Sequence, residues 1–371
     1  MRYNRNLDQA NAASLSRPAR WAKRLSAAVA IAFIVFFSFT PIGCYLATGA
    51  WEEGKILARR KPIAELVTDK RIEQVTRRKL QIVLEARQYA RDSIRLRAKE
   101  SFTTYSPLDR DTLVLVLSAA YRDKLEPYTW WFPIVGRVPY KGYFDFKAAR
   151  KAADGLRSEG YDVALRPSDA FSTLGWFNDP LLSTSLRRDS LELVNTVIHE
   201  LTHHTFYAPS SVAFNESFAS FGGARGAAAF FRSRGQPIAA ARVDDGWDDE
   251  KVLGNFWAAL TNTLDSAYKA HPDDRAARIA VRDTVYANAR RALVSDIAPR
   301  LKTVSPRYAE RVPLDNASLL ARRVYARNLE LFDGVYAREG QNLRHTIGRI
   351  IALAKSAPKD PYGALKEWLG S

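Results

Sequence analysis

The run Ile198-His199-Glu200-Leu201-Thr202-His203, with Glu216 following inside Phe214-Asn215-Glu216-Ser217-Phe218-Ala219, decides how the rest of this chain is read. Residues four apart on a helix lie one turn apart on the same face, so His199 and His203 aim two imidazoles at one point, about 2.0–2.1 Å from a bound metal. Glu200 falls beside that point and Glu216 is the expected third ligand. A zinc ion held by two imidazoles and a carboxylate keeps a fourth position open for water, and a neighbouring carboxylate can take that water's proton. The pattern therefore points to hydrolysis at a single zinc, with Glu200 as the base. Chance is a poor account of it: the chain has five histidines, and His199, His203 and His204 fall within six residues. His204 should face elsewhere.

The surroundings agree. Leu191, Val194, Val197, Ile198, Leu201 and Phe206 recur at steps of three and four, the stripe of a helix packed on a core. Asp189 and Glu192 resemble a capping box at its start, and Pro209 is expected to end it. A second helix over 212–225 should carry Glu216 and turn Ala213, Phe214, Ser217, Phe218 and Phe221 inward. The short connection at 207–211 lets the two helices cross. Asn215, next to the ligand, either supports it or is solvated.

Working outward, Arg17, Arg20, Lys23 and Arg24 precede an uncharged run at 25–46, broken only by Pro41 and Gly43. That run reads as a signal or membrane-anchor segment. The upstream basic residues keep 1–24 in the cytoplasm and place 47–371 outside the inner membrane. Cys44 is the sole cysteine, so an exported domain is held together without disulfides. Its place after Gly43 leaves lipidation open beside an uncut anchor helix, although Pro41 stands where a lipobox prefers leucine. The net charge of +16 invites nucleic-acid binding, but no helix-turn-helix, zinc-finger or RNA-binding signature accompanies it, and no nucleic-acid partner is expected. Arg59-Arg60-Lys61, Lys70-Arg71 and Arg77-Arg78-Lys79 instead lie close after the anchor, either against anionic lipid or as a solvated face.

The expected fold is α+β and mainly helical. Residues 47–100 form a helical arm, 101–235 a small mixed sheet followed by the active-site helices, and 236–371 a helical part. Strands are expected at 113–117, 128–132, 135–140 and 161–165, with a helix at 145–158. Another extended run at 170–177 precedes the site helix. Within it Ser172, Thr173, Leu174, Gly175 and Trp176 either form an edge strand that pairs with a peptide substrate or an ordinary core strand. Beyond 248 the chain reads as helices, with stripes at Val252, Phe256, Leu260, Leu264 and Tyr268 and again at Val281, Val285, Ala289 and Leu293. Asp315-Asn316 caps a later helical region. Trp247 and Trp257 read as packing residues.

Three blocks together resemble the bacterial putative aminopeptidases, membrane-associated zinc metallopeptidases of the gluzincin type. They are Thr129-Trp130-Trp131-Phe132-Pro133 with 136–144, then Ser172-Thr173-Leu174-Gly175-Trp176-Phe177 with 179–184, then 199–219. The resemblance implies His199, His203 and Glu216 as ligands of one zinc, Glu200 as base and a peptide substrate. Asn316-Ala317 with Leu319 and Tyr325 implies a late helix returning to the cleft, where Tyr325 stabilises the oxyanion or is a core aromatic; Tyr140 and Tyr143 are further candidates. The chain lacks the Gly-Ala-Met-Glu-Asn segment that grips a free α-amine in well-known gluzincin aminopeptidases. That leaves a rival reading, a non-catalytic envelope scaffold in which zinc only braces two helices.

Overall fold

The structure, a computed structural model, describes residues 21–22, 24–29, 31, 35, 38, 40–132, 136–168, 180–323 and 327–370. It divides into two compact units, 1–58 and 59–371. In the first, helix α1 (Pro41–Ala58) starts inside the apolar run and passes the expected end of the anchor at 46. No proline falls between Leu46 and Ala58, Gly49 weakens the helix without ending it, and charge begins only at Glu52, which pairs with Lys55 at 2.7 Å. Among the described residues no helix is long and apolar enough to cross a membrane. Part of the expected anchor, including 32–34, lies outside the described residues.

The second unit opens with β1 (Lys61–Pro62), α2 (Ile63–Thr68) and α3 (Gln74–Tyr89), the last continued by a wider π turn at Ala90–Ile94. The arm is thus interrupted, and Arg95 at φ 71° stops it short of the expected 100. Strands follow as β2 (Thr104–Ser106), β3 (Val114–Ala120), β4 (Trp130–Phe132), β5 (Gly136–Val138) and β6 (Tyr140–Tyr143). Helix α4 (Phe146–Ser158) is capped by the Asp145 carboxylate, which accepts from the N–H groups of Lys147 and Ala148, and leads to β7 (Asp162–Ser168) and β8 (Leu181–Leu182).

One mixed sheet was expected; three small sheets are found. Only β1-β2-β8 is mixed, with β2 parallel to β8. The order β6-β3-β7 is antiparallel throughout, in a register that sets Leu117 opposite both Lys141 and Leu165, and β4 pairs with β5 as a hairpin. The physical reason lies in which faces are apolar. Leu117 and Ala119 of β3 bury against Ala153 and Leu156 of α4, so that sheet completes a core of its own. The run at 170–177 lies outside the described residues.

The rest is helical: α5 (Ser190–Thr205), α6 (Val212–Ser233), α7 (Pro237–Lys269), α8 (Arg275–Ala292), α9 (Pro306–Arg311), α10 (Asn316–Arg323), α11 (Leu329–Arg338), α12 (Leu343–Ser356) and α13 (Pro361–Gly370). The α6–α7 turn closes at Gly235, whose φ of 68° favours a residue without Cβ. The main core joins α3, α5, α6, the first half of α7 and α11–α13, with Phe214, Phe218, Phe221, Phe332 and Trp247 fully buried. A second core gathers the far half of α7 with α8 and α10 around Trp257, Leu264 and Leu293. Both tryptophans pack as expected. The molecule is α+β in composition and mainly helical, and the helical cores position the candidate site.

Candidate metal centre

Helix α5 starts at Asp189, whose carboxylate accepts from the Glu192 N–H at 2.9 Å. Burial of Leu193, Val194, Val197, Ile198 and Leu201 fixes the rotation of the helix. His199, Glu200 and His203 are then left half-buried on its other side. The helix ends at Thr205 because Phe206 turns extended, with φ −154° and ψ 137°. Pro209 comes three residues too late to be the stop. The Thr202 and Thr205 hydroxyls donate to the carbonyls of Ile198 and Leu201, one turn back.

Two features bring α6 back onto α5. In the connection, the buried Asn215 side chain accepts from the Ala208 N–H at 2.7 Å and donates to the Ala208 carbonyl at 2.8 Å. It ties the loop to the first turn of α6, one residue before Glu216. Along the contact, glycines replace side chains. A Cβ added at Gly223 would lie 2.2 Å from Asn195 Oδ1 and 3.1 Å from His199 Cβ, and one at Gly226 would lie 2.7 Å from Ile198 Cγ2. The two backbones touch where the ligands must converge. The expected helix carrying Glu216 is therefore right in position but longer than 212–225, running on to Ser233, with Gly226 letting it lie close to Ile198 of α5.

The three predicted ligands meet. His199 Nε2 and His203 Nε2 are 3.2 Å apart, and Glu216 Oε2 lies 3.7 and 3.6 Å from them. The circle through these three atoms has a radius of about 2.0 Å, the length of a zinc–ligand bond, so the residues present fit the ion. Among the described residues no other group of three His, Cys, Asp or Glu side chains has such spacing. Burial pushes the Glu216 carboxyl up, but the two facing imidazoles outweigh that and hold it down at about 2. Burial pulls His199 down, and the carboxylates of Glu216, Glu200 and Glu250 together raise it. His204 turns away, its Nδ1 3.2 Å from the hydroxyl of the buried Ser101, and its burial lowers its pKa.

Two neighbours were not legible beforehand. Tyr207 is 53% exposed, with its ring 6.3 Å from that of His203. Glu250 on α7 acts electrostatically on His199. Solvent reaches it, yet the surrounding protein raises its carboxyl to about 7. Its sequence signal was a stripe at Val243, Trp247, Glu250 and Gly254, hidden within an acid-rich stretch. Tyr143 packs in the small core under α4, whereas Tyr140 is exposed on β6. Tyr325, Ser172, Thr173, Leu174 and Gly175 lie outside the described residues.

Fold and site thus define a helical protein with a His-His-Glu cluster of metal-ligand spacing, built on two helices in backbone contact. The chain belongs to the family described as "Putative aminopeptidase", whose model matches residues 44–364. No curated protein and no solved structure matches it.

Proposed function

We propose that the protein is a zinc-dependent peptidase, an aminopeptidase in keeping with its family, in which His199, His203 and Glu216 hold one zinc ion. The observation that carries this reading is the triangle of ligand atoms sized for that ion, with Glu200 next to it on the same helix. When bound, zinc supplies a positive charge that polarises the scissile carbonyl and acidifies water. Glu200 takes the proton of the attacking water and delivers it to the leaving amine. The apolar contact of α5 with α6 holds these groups without adjustment during the reaction.

The reading extends to a membrane tether at 25–46 with the catalytic unit outside the inner membrane. Support comes from the uncharged run behind Arg17, Arg20, Lys23 and Arg24. Proteolysis of intact spheroplasts should remove the second unit; protection of it there would refute the placement.

The decisive experiment on catalysis is Glu200→Gln. It should retain zinc while peptide hydrolysis falls by roughly 10²–10⁴-fold. Undiminished turnover would exclude Glu200 as the base, and a zinc-loaded wild type that cleaves no peptide in a diverse library would favour the scaffold reading.

A further inference from the structure

Five of the seven residues Asp244 to Glu250 are acids, and four have partners in the protein. Asp244 accepts from Arg225 at 2.7 Å and also pairs with Arg232. Asp245 and Asp248 take Lys302, and Asp248 also Lys251. The buried Asp249 accepts from the backbone N–H groups of Lys302, Thr303 and Val304. Among the described residues Glu250 has neither a hydrogen bond nor an ion pair.

Its position is as unusual as its isolation. On a helix of 3.6 residues per turn, Val243, Trp247, Glu250 and Gly254 form one stripe. Val243, Trp247 and Gly254 are buried, whereas Glu250, in the middle of that stripe, is exposed. A side chain on the packed face of a helix is exposed only where the packing opens. The antiparallel register of α6 and α7 locates the opening. The pairs Arg225–Asp244 and Phe221–Trp247, the latter with rings 6.1 Å apart, put Glu250 level with the stretch between Glu216 and Gly223. Gly223 touches His199, and the Glu250 carboxylate acts on that imidazole. Charge completes the argument. Glu216 and Glu200 together balance a dication on the three ligands, so the Glu250 carboxylate, once ionised, is negative charge left over, and a bound ammonium favours that ionised form.

We propose that Glu250 anchors the positively charged group of the substrate beside the metal centre, an ammonium carried by the peptide's free amino terminus. This rests on the peptidase reading, and it supplies the amine-gripping carboxylate that no known motif in the sequence provides. A lysine side chain carries the same chemistry and is separated by the test. Glu250 selects and positions the substrate rather than moving a proton.

The experiment compares zinc-loaded wild type, Glu250→Gln and Glu250→Asp on three fluorogenic peptides. One has a free amino terminus and neutral side chains, the second is its N-acetyl form, and the third is an N-acetyl peptide with lysine before the scissile bond. Wild type should favour the free-amine peptide, and E250Q should lose about tenfold or more of kcat/KM on it, chiefly through KM, since a charge-assisted contact is removed. E250D should recover part of that preference, and zinc content should be equal in all three proteins. Loss confined to the lysine peptide would make the side chain the source of the ammonium and overturn the amino-terminal assignment. An unchanged preference in E250Q, or loss of zinc from it, would overturn the proposal. Leucinamide binding by calorimetry, against N-acetyl-leucinamide, needs no turnover: equal binding to wild type and E250Q, or none to wild type, sinks the proposal even if no peptide is cleaved.

Discussion

The junction of α5 with α6 and the junction of α8 and α10 with the β3 sheet are both buried, yet they are built on opposite principles. At the second, polar groups meet and most of them satisfy one another, although the Nε atoms of Arg122 and Arg282 are buried without a hydrogen-bond partner. The fully buried Asn316 accepts from the Tyr286 hydroxyl at 2.7 Å and donates to the Tyr121 carbonyl at 2.7 Å, while its backbone N–H donates to Asp162. Arg282 pairs with Asp162 in the same place. At the first junction the contact is glycine-lined, with Gly222 and Gly223 against Thr202 and Asn195 and Gly226 against Ile198, and at its mouth His199, His203 and Glu216 face one another. A buried polar network closed on itself supports structure; one left open awaits a ligand. That contrast separates the carboxylate of Asp162 from that of Glu216 better than residue type does.

The largest effect that would break the comparison comes from the ligands themselves. His199→Ala should abolish stoichiometric zinc binding, seen by metal analysis after dialysis, with activity lost in proportion. Asn316→Ala should leave zinc binding intact and lower unfolding stability by about 2–4 kcal/mol, because the hydroxyls of Tyr286 and Tyr268 and the Tyr121 carbonyl lose a buried partner. Denaturant unfolding with parallel zinc titration checks this; weakened zinc affinity would mean that the two junctions are not independent. Gly223→Ala should do the reverse, costing about 1–3 kcal/mol through the clash with Asn195 and His199 while also weakening zinc binding.

Acidification gives the smallest and most diagnostic effect. Glu216 lies depressed from its usual 4.5 to about 2 without metal, so its share of stability is present above about pH 4.5 and lost as pH falls through about 2. His199 is raised, so its contribution is present below its ordinary 6.5 and lost as pH rises through the higher folded value. Zinc needs the neutral imidazole, so its affinity should fall as pH drops through the folded value of His199, measured by competition with a chromophoric chelator. An affinity that does not change between about pH 8 and pH 6 would mean that His199 is not a titrating ligand.

The same contrast explains what could be read in advance. The ligands were legible because a metal imposes residue types and helical spacing at once, and the apolar stripe from Val194 to Leu201 fixed the helix. Asp145 and Asp189 announced helix starts by their chemistry. Division into three sheets was not legible, since pairing of β2 with β8 links residues far apart in the chain, and short apolar runs do not specify partners. Glu250 was hidden because its stripe mixes Val243 and Trp247 with acids that read as a solvated face. Only tertiary pairing of the other four acids reveals the one left over. Pro209 misled as a helix stop because the turn into Phe206 had already been made.

The clasp between Asn215 and Ala208 also bears on how the chain can change in length. His203 and Glu216 are joined by a short connection, and both bonds of the clasp fall within it. One extra residue between Val212 and Glu216 would rotate the carboxylate by about 100° about the axis of α6, away from the imidazoles. One extra residue in the loop would break the clasp. Insertions are thus admissible at the tips of the outer hairpins and helix turns, while the count of residues between the last histidine and the glutamate is itself part of the site.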